Sequence, residues 1–138
     1  MTDHNFAATP EPPYYAVIFT SQRTAGHSDG NDGYDETADR MTELAATMPG
    51  FLGIETVHNA DGLGITVSYW RDEASIKNWR ANAEHAAARK RGREEWYEHF
   101  ELRVAKVERA YGKSPRLASQ ADPLFQRGSL SSRTVGSD

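Results

Sequence analysis

The segment NAEHAAARKRGREEWYEHF, residues 82–100, concentrates side chains that can carry out acid–base chemistry. His85 is its first candidate, because an imidazole can take a phenolic proton near neutral pH. Such a base needs a cation close by, since a guanidinium holds the anionic oxygen that deprotonation creates. We favour Arg93 for this role, because Gly92 loosens the helix just before it. His85 and Arg93 are therefore the candidate catalytic residues.

Whether His85 reaches a cavity depends on the helix that carries it. On one straight helix at 100° per residue, His85 lies nine residues after Ile76 and points to the opposite side, into solvent. Asn82 can cap a new helix, however. A kink at Asn82 would rotate His85 and Arg89 relative to Ile76 and Trp79 and turn them toward the cavity. Both geometries are compatible with the sequence.

The remaining candidates also have a structural alternative. The basic cluster of Arg89, Lys90, Arg91 and Arg93 forms either a solvated face that pairs with nearby glutamates or the source of one inward arginine. Large aromatic residues most often belong to the core. Three aromatic residues and one arginine are nevertheless candidates for substrate binding: Tyr69, Trp79, Tyr97 and Arg89.

Composition narrows the class of protein. The 138 residues include no cysteine, which excludes disulfides, thiolate metal sites and a cysteine nucleophile. The net charge of −4 gives no indication of nucleic-acid or anionic-membrane binding, and no apolar run has the length of a membrane span. No metal-ligand spacing and no phosphate-binding glycine loop is present. We expect a cytoplasmic protein with no cofactor and no metal.

Hydrophobic periodicity predicts six elements. Four segments are typical of strands and two of helices. The strands are Tyr14–Gln22, Phe51–Asn59, Leu63–Trp70 and Tyr97–Gly112, and the helices are Tyr34–Met48 and Asp72–Trp96, the latter with Asp72 as N-cap.

The order β-α-β-β-α-β predicts an α+β, ferredoxin-like fold with an antiparallel sheet and helices on one face. Residues 1–13 are expected to form a flexible arm, residues 14–112 the folded domain and residues 113–138 a flexible tail. Apolar side chains alternate onto both faces of the first strand and of the hairpin. A sheet with one wet face has a cleaner alternation. A second copy of the chain is therefore expected to cover the open face.

Five segments in this order resemble the antibiotic biosynthesis monooxygenase (ABM) domain, over roughly Tyr14 to Gly112. They are PGFLGIE (Pro49–Glu55), GITVSYW (Gly64–Trp70), SIKNW (Ser75–Trp79), EHAAARKRGREEWY (Glu84–Tyr97) and VERAYG (Val107–Gly112). The resemblance implies a homodimer in which two sheets form an α/β barrel, with a ligand cavity in each subunit between sheet and helices. Relatives of this kind oxidise phenolic polycyclic substrates with O2 and no cofactor.

The resemblance therefore favours a cofactor-independent monooxygenase that acts on a small aromatic or lipophilic substrate. One alternative is a dimeric binding module that senses or sequesters such a ligand without turnover. A third, ranked lower, is binding or degradation of heme. Heme-degrading relatives use a first-strand Asn, a helix Trp and a later His. Trp79 matches the Trp, but Thr20 and Ser21 stand in the first strand without an Asn, and the His position falls near Arg89.

Overall fold

The computed structural model describes residues 6–25 and 32–113. The chain divides into two compact units, Met1–Glu108 and Arg109–Asp138, and only residues 109–113 of the second are described. The predicted tail at 113–138 therefore lies, beyond Lys113, outside the described residues. The flexibility of both termini stays a prediction.

A four-stranded antiparallel sheet forms the base of the first unit. Its strands are β1 (Tyr14–Arg23), β2 (Phe51–His58), β3 (Leu63–Trp70) and β4 (Tyr97–Val107), in the spatial order β2-β3-β1-β4. The α+β, ferredoxin-like fold is thus confirmed. The last strand ends five residues before the predicted Gly112.

Three helices accompany the sheet, each with a recognisable start. α1 (Tyr34–Ala45) begins after Gly33, whose φ of 82° is in the left-handed region, and has acidic residues in its first turn. α2 (Glu73–Ala81) is capped by Asp72, whose carboxylate accepts a hydrogen bond from the Ser75 amide at 2.8 Å. α1 stops three residues before the predicted Met48.

The predicted second helix is divided in two at Asn82. Asn82 has extended backbone angles, and its side-chain oxygen accepts a hydrogen bond from the His85 amide at 3.0 Å, which starts α3 (Ala83–Arg91). A π-helical turn, Gly92–Trp96, then leads into β4. The kinked geometry is therefore the correct alternative. The first amides of a new helix have no intrahelical acceptor, and the side chain of Asn82 supplies one for the amide of His85.

The core lies between the helices and the end of the sheet where β3 finishes. Trp70 is fully buried there. Burying its indole removes roughly 200 Å² from water, worth about 5 kcal/mol. The cluster consists of Ala45, Trp70 and Ile76, with Tyr15, Val17, Met48, Phe51 and Trp79 packed around it.

Two β-bulges decide which side chains share the helix side of the sheet. Strict alternation places Phe51 and Ile54 on opposite faces, but a register shift after Phe51 pairs them with Trp70 and Ser68, which are two residues apart on β3. Both therefore face the helices.

The second shift lies between Gln22 and Arg23 of β1, which pair with His99 and Tyr97 of β4. Glu98 is the extra residue, so that Tyr97 lies on the helix side.

The other face of the sheet, which we call the helix-free face, is covered at one end by the N-terminal segment. The Ala7 amide donates to the Glu55 carboxylate at 2.9 Å, and the Tyr14 hydroxyl donates to Thr9 at 3.1 Å. Tyr14 and Ala16 are buried beneath this segment. At the other end Val57, Leu63 and Ile65 are exposed, with 73% of Val57 accessible.

Candidate functional site

Trp79 and His85 form an aromatic stack at the junction of α2 and α3. Their ring centroids are 3.9 Å apart and their planes differ by 12°. Trp79 also stacks on the buried Trp70, at 6.0 Å and 28°. The break at Asn82 therefore turns His85 onto the core tryptophans.

The hydrogen bonds of His85 fix its tautomer. Nδ1 lies 3.0 Å from the carbonyl oxygen of Trp79, and a carbonyl only accepts, so Nδ1 carries the proton. Nε2 then presents a lone pair, and within the described ranges no hydrogen bond engages it. Burial lowers the pKa of His85 from 6.5 to about 4, and the charges of Arg89 and Arg80 act in the same direction. The ring is neutral at pH 7.

His85 and Arg89 also complete the C-terminus of α2. A helix leaves its last carbonyl oxygens without intrahelical donors. His85 donates to one of these oxygens, that of Trp79, and the guanidinium of Arg89 donates to the next, that of Arg80, at 2.9 Å. Part of the polarity at this junction therefore serves the fold itself.

Arg89, and not Arg93, is the cation beside His85. Arg89 follows His85 by one helical turn and is half-buried, with a buried Nε that has no hydrogen-bond partner in the described part of the chain. Arg93 is exposed on the π-helical turn. A π-helical turn, which is wider than an α-helix, begins at Gly92. This turn buries Gly92 and Trp96 and leaves Arg93 exposed, so Arg93 does not turn inward.

A second polar group, which we call the tyrosine cluster, is built from the start of α1, the end of β2 and the start of β4. It consists of Tyr34, His58 and Tyr97. The Tyr97 hydroxyl donates to the Tyr34 hydroxyl at 3.3 Å, and the Tyr34 hydroxyl lies 3.3 Å from Nε2 of His58. Burial raises the pKa of Tyr97 well above its usual 10, and the hydrogen bond to Tyr34 adds to this. Tyr97 is therefore a neutral phenol.

Arg23 places a positive charge on this cluster. Its guanidinium lies 3.6 Å above the Tyr34 ring and forms a 2.7 Å ion pair with Asp32. Its side chain is only 8% exposed, and its Nε has no hydrogen-bond partner among the residues described. The charge opposes the rise in the pKa of Tyr97.

An apolar strip, which we call the helix-side cleft, lies between the Trp79–His85 stack and the tyrosine cluster. Its residues are Val17, Phe19, Phe100, Leu102 and Val104, which strand pairing places on the helix side of β1 and β4. Val17 and Phe19 are only half-buried, and the three β4 side chains are exposed by 38% to 48%. Apolar side chains left open beside helices can line a ligand site.

Along β1, this apolar strip spans a distance comparable to the length of a small polycyclic molecule. At one end Tyr15 pairs with Trp70, and at the other the Phe19 ring lies 5.3 Å from that of Tyr97. Tyr15 and Phe19 are four residues apart on β1, or about 13 Å.

Tyr69 lies elsewhere. It is on the helix-free face, where its hydroxyl donates to Glu55 at 2.7 Å and its ring packs edge-on against Tyr14. Burial raises the pKa of Tyr69 above its usual 10, so it remains a neutral donor. The structure thus groups Trp79, His85 and Arg89, puts Tyr97 at the far end of the cleft, and separates Tyr69 from both.

A groove of about 300 Å³ separates α1 from α3. Met41, Ala87 and Ala88 contribute its apolar walls, and Arg40 crosses it to Glu84 with hydrogen bonds of 2.6 and 3.0 Å. This ion pair is solvent-exposed, so it contributes little stability.

A profile of the antibiotic biosynthesis monooxygenase family matches residues 15–91, which carry the sheet core and the stack. The chain belongs to this family. An uncharacterised protein of Bacillus subtilis, YqjZ, is 57% identical over 101 residues, which are 73% of this chain and 85% of that protein.

A family member from Pyricularia oryzae, named jasmonate monooxygenase, is 33% identical over 97 residues. The match spans 67% of this chain and 43% of that protein, less than half of its length.

Solved structures share the fold of the family at low sequence identity. The cofactor-independent oxygenase SnoaB from Streptomyces nogalater superposes with a TM-score of 0.59 at 11% identity, over 72% of this chain and 97% of that one. A conserved protein from Methanosarcina mazei gives 0.58 at 10% identity, over 71% and 94%.

The heme-degrading pattern of the family stays incomplete in three dimensions. Arg89 stands near the position of its histidine, and a guanidinium has no lone pair for iron. Its Nη2 donates to the carbonyl oxygen of Arg80 instead. Thr20 and Ser21 replace the first-strand Asn, and Ser21 is buried.

The described residues also contain no cluster of metal-ligating side chains. Within residues 6–25 and 32–113, no group of three His, Cys, Asp or Glu side chains could hold a metal ion. In the same ranges no helix is long and apolar enough to cross a membrane.

Sequence reasoning misses Tyr34, His58 and Arg23 as parts of a site. They come from three different elements and meet only through the tertiary fold. The one local signal is the tyrosine at the start of the last strand, Tyr97, a candidate for a ligand hydrogen bond.

Proposed function

We propose that this protein is a cofactor-independent monooxygenase that acts on a small aromatic or lipophilic substrate in the helix-side cleft. The observation that carries the proposal is the neutral His85, stacked on Trp79 with an unengaged Nε2. Membership of the family supports the reaction class, and the cofactor-independent chemistry of SnoaB, which shares the fold, supports the lack of a cofactor. We further propose that it works in the cytoplasm as a homodimer.

The chemistry uses the substrate as its own electron source. Nε2 of His85 takes the proton of a phenolic hydroxyl, which leaves an electron-rich phenolate-derived carbanion. This anion passes electrons to O2, and a C–O bond forms at the activated carbon. A CH2 group becomes a carbonyl, one oxygen atom stays in the product, and the other leaves as water. Trp79 orients the ring, and Arg89 stabilises the developing anion.

The low pKa of His85 has two consequences for this step. The imidazole is in its basic form throughout the physiological pH range, so it never needs to lose a proton first. It is also a weak base, and proton transfer from a phenol is efficient only when the anion is stabilised in the same site. The charge of Arg89 supplies this stabilisation.

Oxygen uptake tests the proposal. With a hydroxylated anthrone and a chelator present, we expect one O2 consumed per quinone formed, at a rate above the spontaneous oxidation. His85→Gln can still donate to the Trp79 carbonyl but lacks the basic nitrogen. It should lower turnover by about 10²–10⁴-fold with little change in affinity. Uptake at the spontaneous rate would contradict the proposal.

Arginine variants provide the matched control. Arg89→Ala should weaken both binding and rate, because the charge is felt in the ground state and in the transition state. Arg93→Ala removes an exposed arginine four residues away and should change neither. A larger effect of Arg93→Ala would return the anion-stabilising role to Arg93.

A non-catalytic binding module is the second candidate. It is favoured by the capping role of His85 and Arg89 at the C-terminus of α2, which explains both side chains without catalysis. Under this alternative, the same anthrone binds with unchanged affinity in His85→Gln, and no O2 is consumed in either protein.

A further inference from the structure

The tyrosine cluster forms a continuous chain from the cleft to solvent. Tyr97 is half-buried and its ring touches Phe19 and Phe100, at 5.3 and 6.2 Å between centroids. Tyr34 stands in the middle, and His58 at the far end is exposed. Each of the two polar gaps is 3.3 Å, longer than an ordinary hydroxyl hydrogen bond.

The chain has a direction. The Tyr97 hydroxyl donates its proton to Tyr34, so its oxygen has only lone pairs to present to any further partner. This oxygen can accept a hydrogen bond from a ligand hydroxyl, and it cannot donate one to a carbonyl or a carboxylate at the same time. When a hydroxyl accepts a hydrogen bond it becomes a stronger donor, so an incoming ligand should shorten the following gaps.

Two glycines give the terminal rings their positions. A Cβ atom at Gly92 would lie 2.9 Å from Cε2 of Tyr97, closer than real Cβ contacts allow. A Cβ atom at Gly64 would collide with the imidazole of His58. A side chain at Gly92 or at Gly64 would therefore displace the ring of Tyr97 or of His58, the two terminal residues of the hydrogen-bonded chain.

The buried charge of Arg23 favours a proton leaving this chain. Its guanidinium lies above the ring of Tyr34, and it opposes the rise in the pKa of Tyr97. A transient phenolate on either tyrosine is therefore stabilised while the proton moves on.

We propose that Tyr97, Tyr34 and His58 form a proton relay that withdraws the proton of a ligand hydroxyl at this end of the helix-side cleft and releases it to water. The ligand O–H bond breaks as a new O–H bond forms on Tyr97. The former proton of Tyr97 bonds to the Tyr34 oxygen, and the proton of Tyr34 bonds to Nε2 of His58. The imidazolium then gives a proton to solvent, and no electrons are transferred.

The relay narrows the ligand class to hydroxylated aromatic molecules. It rests on the proposed function only in placing the ligand in the cleft. His85 serves the opposite end, so a substrate with hydroxyls at both ends would use both acceptors.

Binding experiments test the relay without turnover. The probes are 2-naphthol and its methyl ether, with dissociation constants from tryptophan fluorescence and imidazole signals from NMR. We expect naphthol to bind about two- to tenfold more tightly than the ether, the usual contribution of one hydrogen bond. Tyr97→Phe should abolish this preference. Tyr69→Phe is the matched control, because its hydroxyl lies on the helix-free face, and the preference should persist.

A relay predicts a response at His58, which lies at the opposite end of the hydrogen-bonded chain from the ligand. Naphthol, but not its ether, should shift the ring signals of His58, and Tyr34→Phe should remove this shift while keeping the preference for naphthol. The relay is wrong if His58 responds equally in Tyr34→Phe, if the preference survives in Tyr97→Phe, or if neither probe binds. Absence of oxygen uptake would contradict the proposed monooxygenase and leave these binding results unchanged.

Discussion

At the scale of single residues, the two ring nitrogens of His85 differ. Its Nδ1 donates to the α2 carbonyl of Trp79, and its Nε2 has no hydrogen-bond partner among the described residues. The hydrogen bond that helps to end one helix therefore also sets the tautomer that the proposed reaction needs. His85→Ala removes both the donor and the acceptor, whereas His85→Gln keeps a donor for the Trp79 carbonyl and is therefore more informative.

The buried neutral ring predicts a pH dependence of stability. The folded-state pKa of about 4 lies below the ordinary 6.5, so between these values the unfolded chain binds more protons. The free energy of unfolding should then fall as pH drops from about 6.5 to 4, by about 2 kcal/mol because solvent partly reaches the ring. Urea unfolding at several pH values measures this.

The control for this prediction is His99, which is exposed beside Glu101. His85→Gln should flatten the dependence between pH 6.5 and 4, whereas His99→Gln should retain it. Equal slopes in wild type and His85→Gln would show that the imidazole of His85 is as solvated in the folded chain as in the unfolded one.

At the scale of elements, the break at Asn82 is what brings the stack together. It ends α2 where Trp79 can rest on Trp70, and it starts α3 so that His85 lies over Trp79. The two caps that bound α2, Asp72 and Asn82, are both side-chain acceptors for amides three residues later.

Asn82→Ala should therefore do more than remove a cap. We expect a loss of about 1 kcal/mol in stability, the usual effect of an N-cap. We also expect weaker aromatic binding and a changed tryptophan environment, because His85 loses its fixed place over Trp79. Asp72→Ala is the matched control, with a similar loss of stability and an unaltered cleft. Chemical denaturation and naphthol binding should be measured in both variants. Identical naphthol binding by Asn82→Ala and Asp72→Ala would contradict the role of Asn82 in positioning His85.

The elements were predictable from the sequence to a large extent, and the site only in part. Local patterns indicate the order of the elements and both caps, because hydrophobic period and capping chemistry act within a few residues. The bulge at Glu98 could not be foreseen, since it depends on the pairing of β4 with β1. That pairing puts Tyr97 beside Tyr34, which is 63 residues away in the chain. The rotation of His85 could be anticipated because Asn82 caps its helix from three residues away, whereas its stacking on Trp79 could not.

At the scale of the whole molecule, the exposed apolar residues of the helix-free face are the basis of the proposed homodimer. Val57, Leu63 and Ile65 are exposed together at the ends of β2 and β3, where no described helix covers them. Apolar burial contributes roughly 25 cal/mol per Å², so a second sheet over this face would be a substantial source of stability.

Light scattering at micromolar concentration should report about twice the 15.4 kDa of one chain. Ile65→Lys should shift the mass toward the monomer, because it places a charge in the apolar face. Thr42→Lys adds the same charge on the exposed side of α1 and should leave the mass unchanged. A monomer in the wild type would remove the barrel arrangement and the proposed homodimer with it.

The N-terminal segment has a practical consequence for how the protein is handled. Ala7 lies against Gly53 and is bound to Glu55, on the same face that a second copy would occupy. An affinity tag fused to the N-terminus joins the chain only a few residues before this segment. Its length and charge would alter the apparent association constant, so preparations should be compared only after the tag has been cleaved.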